Sequence, residues 1–490
     1  MLNKKIIAAA VMSLAVTSAA SANNEVSPKL SSLDSKIGKL EFVNEYPTEQ
    51  TLQTLTDARK YQRATQAYIW AVPITSMADF ILTFKESLNL EFGDLMRLNK
   101  PADLKYGITA NATTDYVVTW VNLETEGPWV VDVPAGPSAG FVVDMWQRPV
   151  MDLGIPGVNQ GKGGKHLIIG PNQDVPENTE GYHVVHSTTN HALMILRVLA
   201  RDPAEKEAMI AATRLYPFAE AANPREQKIE HPNGRYWSTS QPRGIEYWNR
   251  LKWIIDQEPM HDRDGFMYAF LKDLGIEKGK PFTPSKKMTD MLTEATFVGE
   301  AMTKDIDWSG NLEAGFYADG TNWRNAIAVS TTQRQPTHFE LDERAAWFYE
   351  ALTSSKGMKS TTPGVGSAYL GGYKDSDGEW LDGAQSYKLN IPANVPAKRF
   401  WSVTVYDNAT RYLIQNEQVI ADKSSVMDLD KNSDGSIDIY FGPKAPKGHE
   451  KNWIPTNPGE GWFSYFRLYG PTQEHFDRKW VLPNFEKTSH

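Results

Sequence analysis

The C-terminal part of the chain alternates between apolar and polar side chains in three separate runs. They cover residues 400–407, 437–443 and 463–471, and each stops at a residue that is typical of turns. Alternation with a period of two is the pattern of a β-strand whose two faces differ chemically. The pattern therefore predicts that the chain ends in an antiparallel sheet.

The N-terminal half predicts a long helix followed by strands. Residues 48–90 lack glycine and carry apolar side chains at helical spacing, and Pro73 is expected to interrupt or restart that helix. Short strands separated by turn sequences follow, and this spacing favours a β-sandwich over a parallel α/β sheet. The predicted strands are Tyr116–Leu123, Trp129–Val133, Phe141–Trp146, His166–Ile169, Tyr182–His186 and Ala192–Leu199.

The pattern becomes helical again after about residue 200, and a glycine-rich stretch at residues 364–372 separates these helices from the final sheet. The chain is therefore predicted to be a multidomain protein with both α and β regions. Its predicted segments are a signal peptide at 1–22, a linker with N-terminal helices at 23–100, a β-sandwich at 101–200, a helical domain at 201–360 and a second β-sandwich at 361–490.

The first residues have the features of a secretory signal. Lys4 and Lys5 precede an apolar run, and Ala20-Ser21-Ala22 is a small-residue cleavage site, so we expect cleavage after Ala22 and a periplasmic or secreted protein. The apolar run is shorter than the roughly 20 residues that a bilayer requires, so no integral membrane segment is expected. The chain has no cysteine, which excludes disulfides and thiol chemistry.

Composition narrows the class of ligand. With 490 residues, 41% of them hydrophobic and 23% charged, the chain is long enough for two to four domains. The formal charge of −9 becomes −11 when residues 1–22, which hold two lysines and no acids, are removed. A net-acidic chain without a dense run of basic residues argues against nucleic acid as a partner. A supply of 15 Trp, 20 Tyr and 19 Phe suits apolar or sugar ligands as well as sandwich cores.

Two groups of motifs resemble known bacterial families. The first group resembles domain of unknown function 1254 and comprises Asn111–Tyr116, Val131–Pro134 and Val143–Trp146. The second resembles domain of unknown function 1214 and comprises Asp377–Gly383, Phe400–Asp407, Ser433–Ile437 and Phe466–Pro471. The resemblance covers most of the mature chain. It implies an immunoglobulin-like sandwich, a helical domain and a C-terminal jelly-roll-like sandwich, and it supplies no catalytic residues.

Three motifs have more than one interpretation. The sequence at 136–140 matches the G-x-S-x-G pattern of hydrolases, but a predicted strand follows it, which favours a hairpin loop. The turn at 430–438 resembles a calcium loop except that Phe441 stands where a carboxylate is required, so calcium binding stays open. His183 and His186 would point to opposite faces of a strand, which disfavours a shared metal ion. We therefore predict no metal site.

Strand parity selects candidate site residues in the last sandwich. Trp401, Val403 and Val405 form an apolar set, and Tyr406 lies on the other side of that strand. In the run from Phe463, parity turns Tyr465, Arg467 and Tyr469 away from the core. If the strands are neighbours, this face is a platform for a sugar or a carboxylate, with Arg467 as a catalytic candidate and Trp401, Tyr406 and Tyr465 as ligand-binding candidates. An ordinary solvated face, or one covered by the helical domain, is the alternative.

The first sandwich offers further candidates. Asp115, Tyr116 and Asp144 are catalytic candidates because carboxylates and hydroxyls can exchange protons with a substrate, and Trp146 is a ligand-binding candidate. Asp144 shares its parity with apolar neighbours, so an ion pair with Arg148 or Arg197 is the structural alternative.

The leading functional hypothesis is an exported hydrolase or lyase without a cofactor, acting on a small molecule or saccharide at a cleft between domains. It depends on the polar residues at sandwich edges and on the lack of a nucleotide or flavin fingerprint. The alternative is a noncatalytic protein that binds a glycan or lipid. Self-association into a homo-oligomer is a third hypothesis, in which the sandwiches have a structural role.

Overall fold

The structure, a computed structural model, describes residues 30–489, so the predicted signal peptide at 1–22 lies outside the described residues. The chain forms two compact units that divide after Arg59. In the first unit an antiparallel sheet precedes the beginning of a long helix. These elements are β1 (Ser32–Ser35), β2 (Gly38–Val43), β3 (Tyr46–Pro47) and α1 (Glu49–Glu86).

Helix α1 runs without a break through Pro73, so the predicted interruption there is wrong. A proline inside a helix removes one backbone donor and disturbs the carbonyls of the preceding turn. Side chains from elsewhere in the second unit donate to carbonyls on both sides of this point: Tyr247 to residue 68 at 2.7 Å, Arg344 to residue 70 at 2.8 Å and Gln147 to Pro73 itself at 2.8 Å. The surrounding structure therefore contacts the helix backbone closely where the proline lies.

Among the described residues, α1 is the helix whose length and composition would allow it to cross a membrane, and 94% of its most apolar window is buried within the protein. Burial of this extent is typical of a core helix. From residue 64 onward, α1 belongs to the largest apolar core of the second unit.

The region from residue 95 to residue 217 is mostly strands. Its elements are β4 (Leu95–Leu98), α2 (Pro101–Leu104), β5 (Asp115–Asn122), α3 (Leu123–Glu126), β6 (Trp129–Val133), β7 (Ser138–Asp144), β8 (Pro149–Gly154), β9 (Gly164–Ile169), β10 (Tyr182–His186), β11 (His191–Val198), α4 (Pro203–Ala212) and β12 (Arg214–Pro217).

A helical segment follows. Its elements are β13 (Ile229–Glu230), α5 (Ile245–Gln257), α6 (Gly265–Asp273), α7 (Lys286–Trp308), β14 (Arg324–Asn325) and α8 (Leu341–Glu350). Helix α7 begins where the Ser285 side chain accepts a hydrogen bond from the backbone of Met288, an ordinary N-cap. Trp248, Leu292 and Trp347 of α5, α7 and α8 share their core with α1.

The last region again consists of strands. Its elements are β15 (Ser367–Gly372), β16 (Ser386–Ile391), β17 (Ala397–Asp407), β18 (Asp422–Ser424), β19 (Ile437–Gly442), β20 (Trp453–Pro455), β21 (Trp462–Pro471), α9 (Gln473–Phe476) and β22 (Glu486–Thr488).

The strands form two pairs of packed sheets. In the first pair, the sheets have the orders β13-β4-β5-β11-β7-β8 and β10-β9-β6-β12, and a continuous apolar core lies between them. In the second pair, the orders are β14-β15-β21-β17-β18 and β20-β19-β16-β22, with their own core. The prediction of a multidomain protein with several β-sheets and a helical segment is confirmed.

Candidate functional site

One face of the six-stranded sheet and one face of the five-stranded sheet contribute to the same site. On β5 and β11, Tyr116 pairs with Arg197 and Val118 pairs with Ile195, all facing away from the core between the first two sheets. On β21, the core between the last two sheets contains Phe466 and Leu468. Because strand residues alternate, Tyr465, Arg467 and Tyr469 point the other way, toward the six-stranded sheet.

Two adjoining cavities occupy this junction. The outer one is a cleft of about 930 Å³, and the inner one, lined mostly by buried side chains, is a chamber of about 130 Å³. Phe141, Arg197 and Met358 line both, so these side chains stand between the cleft and the chamber. Arg467 and Tyr465 line the chamber from the opposite side, and Trp347 of α8 also contributes to its wall.

Arg467 is held among tyrosine rings. Its guanidinium carbon lies 5.1 Å from the ring centroid of Tyr369, 5.2 Å from that of Tyr465 and 5.6 Å from that of Tyr406. Its Nη1 donates to Thr404 Oγ1 at 3.1 Å, and its Nη2 donates to the backbone carbonyl of Thr109 at 3.0 Å. Burial raises the pKa of Tyr406 to about 12 although Arg467 opposes the shift, so this hydroxyl remains protonated.

Arg197 lies on the opposite sheet and also has tyrosine rings as neighbours. Its Nε donates to the hydroxyl of Tyr116 at 3.0 Å, and its guanidinium carbon lies 5.2 Å from the Tyr116 ring and 5.5 Å from the Tyr469 ring. The Tyr469 hydroxyl in turn accepts a hydrogen bond from Asn111 Nδ2 at 2.6 Å. These contacts connect β11, and the segment that precedes β5, directly to β21.

Within residues 30–489, Arg197 and Arg467 form no ion pair with a carboxylate. Asp422 influences Arg467 electrostatically, but its Oδ2 accepts from Thr113 Oγ1 at 3.3 Å. Burial raises the pKa of Asp422 despite that hydrogen bond and the nearby cations. Two guanidinium groups therefore lie beside the chamber with aromatic rings and hydroxyls, rather than carboxylates, as their neighbours.

The cleft also carries an excess of positive charge. Its basic lining residues are Arg197, Arg201, Lys206, Lys398 and Arg399. Asp115 is the acidic residue of that lining, and it accepts from Lys206 at 3.2 Å and from Arg97 at 3.4 Å. The carboxylate is thus already paired, so the cleft favours an anion although the whole protein is acidic.

Among the predicted catalytic residues, Asp115, Tyr116 and Arg467 border the cleft or the chamber, whereas Asp144 does not. Along β11, Ala192 is opposite Asp144 and Val198 is opposite Asp115, a separation of six residues or about 20 Å.

The Asp144 carboxylate is instead part of a structural network. Its oxygens accept from Arg148 Nε at 2.8 Å, from Thr188 Oγ1 at 2.9 Å and from the backbone of Trp146 at 2.9 Å. Arg148 is therefore its ion-pair partner. Arg197, the other partner considered from the sequence, faces the cavities.

The predicted ligand-binding residues divide between two environments. Tyr465 lines the chamber, and its hydroxyl donates to Glu350, while Tyr406 is buried beneath Arg467 and donates to the carbonyl of Ala110 at 3.0 Å. Trp401 lies on the opposite face of β17 and stacks on Phe466 at 5.5 Å in the core between the last two sheets.

Trp146 also lies apart from the chamber. Its ring contacts Trp70 at 4.9 Å, with the guanidinium carbons of Arg263 and Arg344 at 5.7 Å and 5.4 Å from its centroid. This position follows from its place directly after the end of β7, next to Asp144, at the far end of the sheet.

The remaining motifs have structural roles in the described chain. Ser138 is the first residue of β7, with no helix directly after it as a nucleophile elbow requires. His191 donates to or accepts from Glu258 at 2.8 Å and Asn122 at 3.0 Å, separately from His183 and His186. Among residues 30–489 no group of three or more His, Asp and Glu side chains is arranged to hold a metal ion.

Sequence reasoning did not select Arg197, Tyr369 or Asn111 as site residues. Arg197 had a detectable signal, because it is the one charged residue in the otherwise apolar strand His191–Val198 and shares parity with Ile195. Tyr369 and Asn111 carried no comparable local signal, since their roles depend on contacts with residues about a hundred or more positions away.

Comparison with known proteins identifies two regions of the chain, and both contribute residues to this junction. The sequence model of DUF1254, a protein family of unknown function, matches residues 91–217, and that of DUF1214, also of unknown function, matches residues 366–473. No curated protein matches the chain. The VPA0106 protein from Vibrio parahaemolyticus has a similar crystal structure, with a TM-score of 0.52 and 16% identity over 88% of this chain and 100% of that chain.

A second solved structure, of an uncharacterized protein from Burkholderia cenocepacia, has a TM-score of 0.38 and 11% identity over 90% of this chain and 98% of that chain. At 16% identity, the Vibrio structure shows that the fold is shared and carries no information on activity.

Proposed function

We propose that this protein, which joins a DUF1254 region to a DUF1214 region, binds a small carboxylate-bearing molecule at the junction of the two regions. The observation that carries the proposal is the position of Arg197 and Arg467 beside the chamber without carboxylate partners in the described chain. Removing a guanidinium from water costs several kcal/mol, and a bound anion offsets that cost. The arrangement is therefore suited to an anion that arrives from outside.

A carboxylate is the anion that this geometry favours. A guanidinium presents parallel N–H donors that match the two oxygens of a carboxylate, and charge-assisted pairs of this kind are roughly twice as strong as neutral hydrogen bonds. Arg197 donates from Nε to Tyr116 and has a further side-chain hydrogen bond with Tyr369, and its guanidinium lies at the boundary between cleft and chamber with no carboxylate partner in the described residues. The basic lining of the cleft would attract such a ligand from solution.

The position of the family motifs supports the same site. Asn111 and Tyr116 belong to the DUF1254 region, and Arg467 and Tyr469 belong to the DUF1214 region. Asn111 donates to Tyr469 at 2.6 Å, so the two regions build the site together. A ligand pocket at such a junction is a common arrangement in multidomain proteins.

Catalysis on the bound molecule, by hydrolysis or elimination, is the second candidate. It is favoured by Tyr116, whose hydroxyl lies 3.0 Å from Arg197 Nε and therefore close to where the carboxylate would be held. In an elimination, Tyr116 would first release its phenolic proton to solvent, and the phenolate, to which Arg197 Nε donates, would take the proton from the carbon next to the carboxylate while a leaving group departs with its electron pair from the adjacent carbon. Appearance of a conjugated double bond by ultraviolet absorbance, lost in Tyr116→Phe, tests this step.

Calorimetry with matched pairs of ligands tests the binding proposal. Benzoate, phenylacetate and acetate are titrated beside benzamide, phenylacetamide and acetamide, which keep the shape and lose the charge. We expect the carboxylates to bind and Arg197→Met to abolish binding, while the control Arg334→Met, which removes an exposed arginine outside both cavities, leaves it unchanged. Equal affinity for acids and amides, or no binding of either, would contradict the proposal.

Two further properties belong to the proposal. We propose that the protein is exported and cleaved after Ala22, which N-terminal sequencing of the protein from a periplasmic fraction would test by a start at Asn23. We also propose that the two pairs of packed sheets are the immunoglobulin-like and jelly-roll-like sandwiches that the motif resemblance implies. An experimental structure with a different strand order in either pair would contradict that assignment.

A further inference from the structure

Resting on the anion site proposed above, we infer that the ligand is an aromatic or compact alicyclic carboxylate whose single ring occupies the inner chamber. The walls of the chamber are largely apolar and aromatic: they include Phe80, Val118, Phe141, Ile195, Trp237 and Leu352. Its volume of about 130 Å³ is close to that of an apolar cavity of about 150 Å³ that takes up benzene. One ring therefore fits, whereas two fused or linked rings do not.

The sheet register places the ring next to the charge. Arg197 and Tyr116 form one cross-strand pair, and Ile195 and Val118 form the pair two residues further along. Two residues of a strand span about 7 Å, so a carboxylate at Arg197 puts its substituent directly against the apolar pair. The chamber is therefore arranged as a cationic end followed by an apolar end.

Aromatic side chains close the far end of the chamber. Phe80 of α1 contributes to the chamber wall. Its ring packs edge-on against Trp120, with 5.5 Å between ring centroids, and at a tilt against Trp237, with 5.4 Å between centroids. Trp120 is on the same face of β5 as Tyr116 and Val118, four residues beyond Tyr116. A long alkyl chain entering past Arg197 would meet these rings, which limits the length of the apolar group.

The polar groups of the chamber argue against a sugar in it. Thr239 Oγ1 accepts from the backbone of Ile108 at 2.9 Å, and Trp237 Nε1 donates to the carbonyl of Asp103 at 3.0 Å. Trp347 Nε1 donates to the carbonyl of Thr353 at 2.7 Å. Since these groups already have partners, the apolar end of the chamber offers few replacements for the bonds to water that the hydroxyls of a saccharide would lose, which is costly. Of the ligand classes considered from the sequence, the small molecule is thus favoured over the saccharide.

A ligand series on the full chain tests this inference by calorimetry. We expect benzoate and cyclohexanecarboxylate to bind on the order of 50-fold more tightly than acetate, because one ring is removed from water. Biphenyl-4-carboxylate, decanoate and galacturonate should bind no better than acetate. Acetate, benzoate and galacturonate of equal affinity, or galacturonate tighter than benzoate, would overturn the inference while leaving the anion site intact. Failure of every carboxylate would instead refute the proposed function.

Two variants change the chamber and leave both arginines in place. Ile195→Phe should fill it, so that benzoate falls to the affinity of acetate while acetate itself is unaffected. The matched control Val365→Phe adds bulk at an exposed position of the outer cleft and should keep the preference for benzoate. If Ile195→Phe does not fold, Ile195→Ala enlarges the chamber, and it should then accept 2-naphthoate, which the wild type rejects. Unchanged selectivity in the folded variant would overturn the inference.

Discussion

Replacing each of the two chamber arginines by methionine should change the stability of the protein to very different extents. Methionine keeps much of the apolar length of arginine and removes its charge and its donors. We expect Arg197→Met to change the free energy of unfolding by less than about 1 kcal/mol, and Arg467→Met to lower it by about 2–4 kcal/mol. The difference arises from what each guanidinium contacts.

For Arg197→Met, the stability lost with the contacts of the guanidinium and the stability gained by removing a buried charge nearly cancel. Its guanidinium donates to Tyr116, has a further side-chain hydrogen bond with Tyr369, and lies over two tyrosine rings. A hydrogen bond from a charged donor contributes about 1.5–3 kcal/mol and each ring contact about 0.5–1 kcal/mol. Against this stands the cost of holding an unpaired cation away from bulk water, which is several kcal/mol. Removing the side chain therefore removes a cost and a contribution of similar size.

For Arg467 the losses dominate. It is more deeply buried, donates to Thr404 and to the carbonyl of Thr109, and lies over three tyrosine rings. Without it, two buried acceptors lose a donor, and an unsatisfied buried polar group costs about 1–3 kcal/mol. The variant no longer has to keep a guanidinium away from water, but this gain offsets only part of the stability lost with those contacts.

Equilibrium unfolding in urea, followed by circular dichroism, measures both variants beside Arg334→Met as a surface control. Calorimetry with benzoate then measures binding on the folded proteins. A loss of more than about 2 kcal/mol in Arg197→Met would show that its guanidinium mainly stabilises the fold, and a neutral effect of Arg467→Met would refute the accounting of its contacts.

Three further predictions concern other parts of the second unit. Burial lowers the pKa of His166 and of His475 to about 4. The protein should therefore keep its full stability above about pH 6.5 and lose stability as the pH falls toward 4, because the unfolded chain binds these protons first. Urea midpoints measured across this range should depend less on pH in the double variant His166→Asn/His475→Asn than in the wild type. Asp144→Asn should destabilise the protein by about 2–4 kcal/mol and leave benzoate affinity unchanged by calorimetry; a selective loss of affinity would return Asp144 to the site. Gly140→Ala should lower stability by roughly 2–4 kcal/mol in thermal unfolding, because the Cβ of the new alanine would clash with the carbonyl oxygen of Ile195. A neutral result would show that β7 and β11 can separate without cost.

Local periodicity predicted the strands and their faces well. The predicted strands Trp129–Val133 and Tyr182–His186 have the bounds that the structure shows. Parity also placed Phe466 in the core and Arg467 on the opposite face. Whether β17 and β21 are neighbours was left open by the sequence, and the structure pairs them, with Ser402 opposite Arg467. These properties depend on a residue and its near neighbours along the strand, so a single sequence contains them.

What covers a strand face is not a local property. The tyrosine face of β21 could have been solvated or covered by helices, and in the structure the six-stranded sheet contributes Arg197 against Tyr469. The break predicted at Pro73 was wrong for the same reason, because distant residues such as Tyr247 and Arg344 contact the helix backbone around the proline. Separating Asp144 from the other candidates likewise required the register of β7 and β11.

The origin of the site lies in how the two regions complete each other. Alone, the face of β21 that carries Arg467 and its tyrosines would be exposed to water, where a guanidinium gains little from a carboxylate because of screening and hydration. Apposition to β5 and β11 adds Arg197 and the apolar pair Val118–Ile195, and it encloses the cations in a setting of low polarity where the same attraction is stronger. The selectivity that we propose, for a ligand with a charged end and an apolar end, would therefore follow from joining the two regions and belong to neither one by itself.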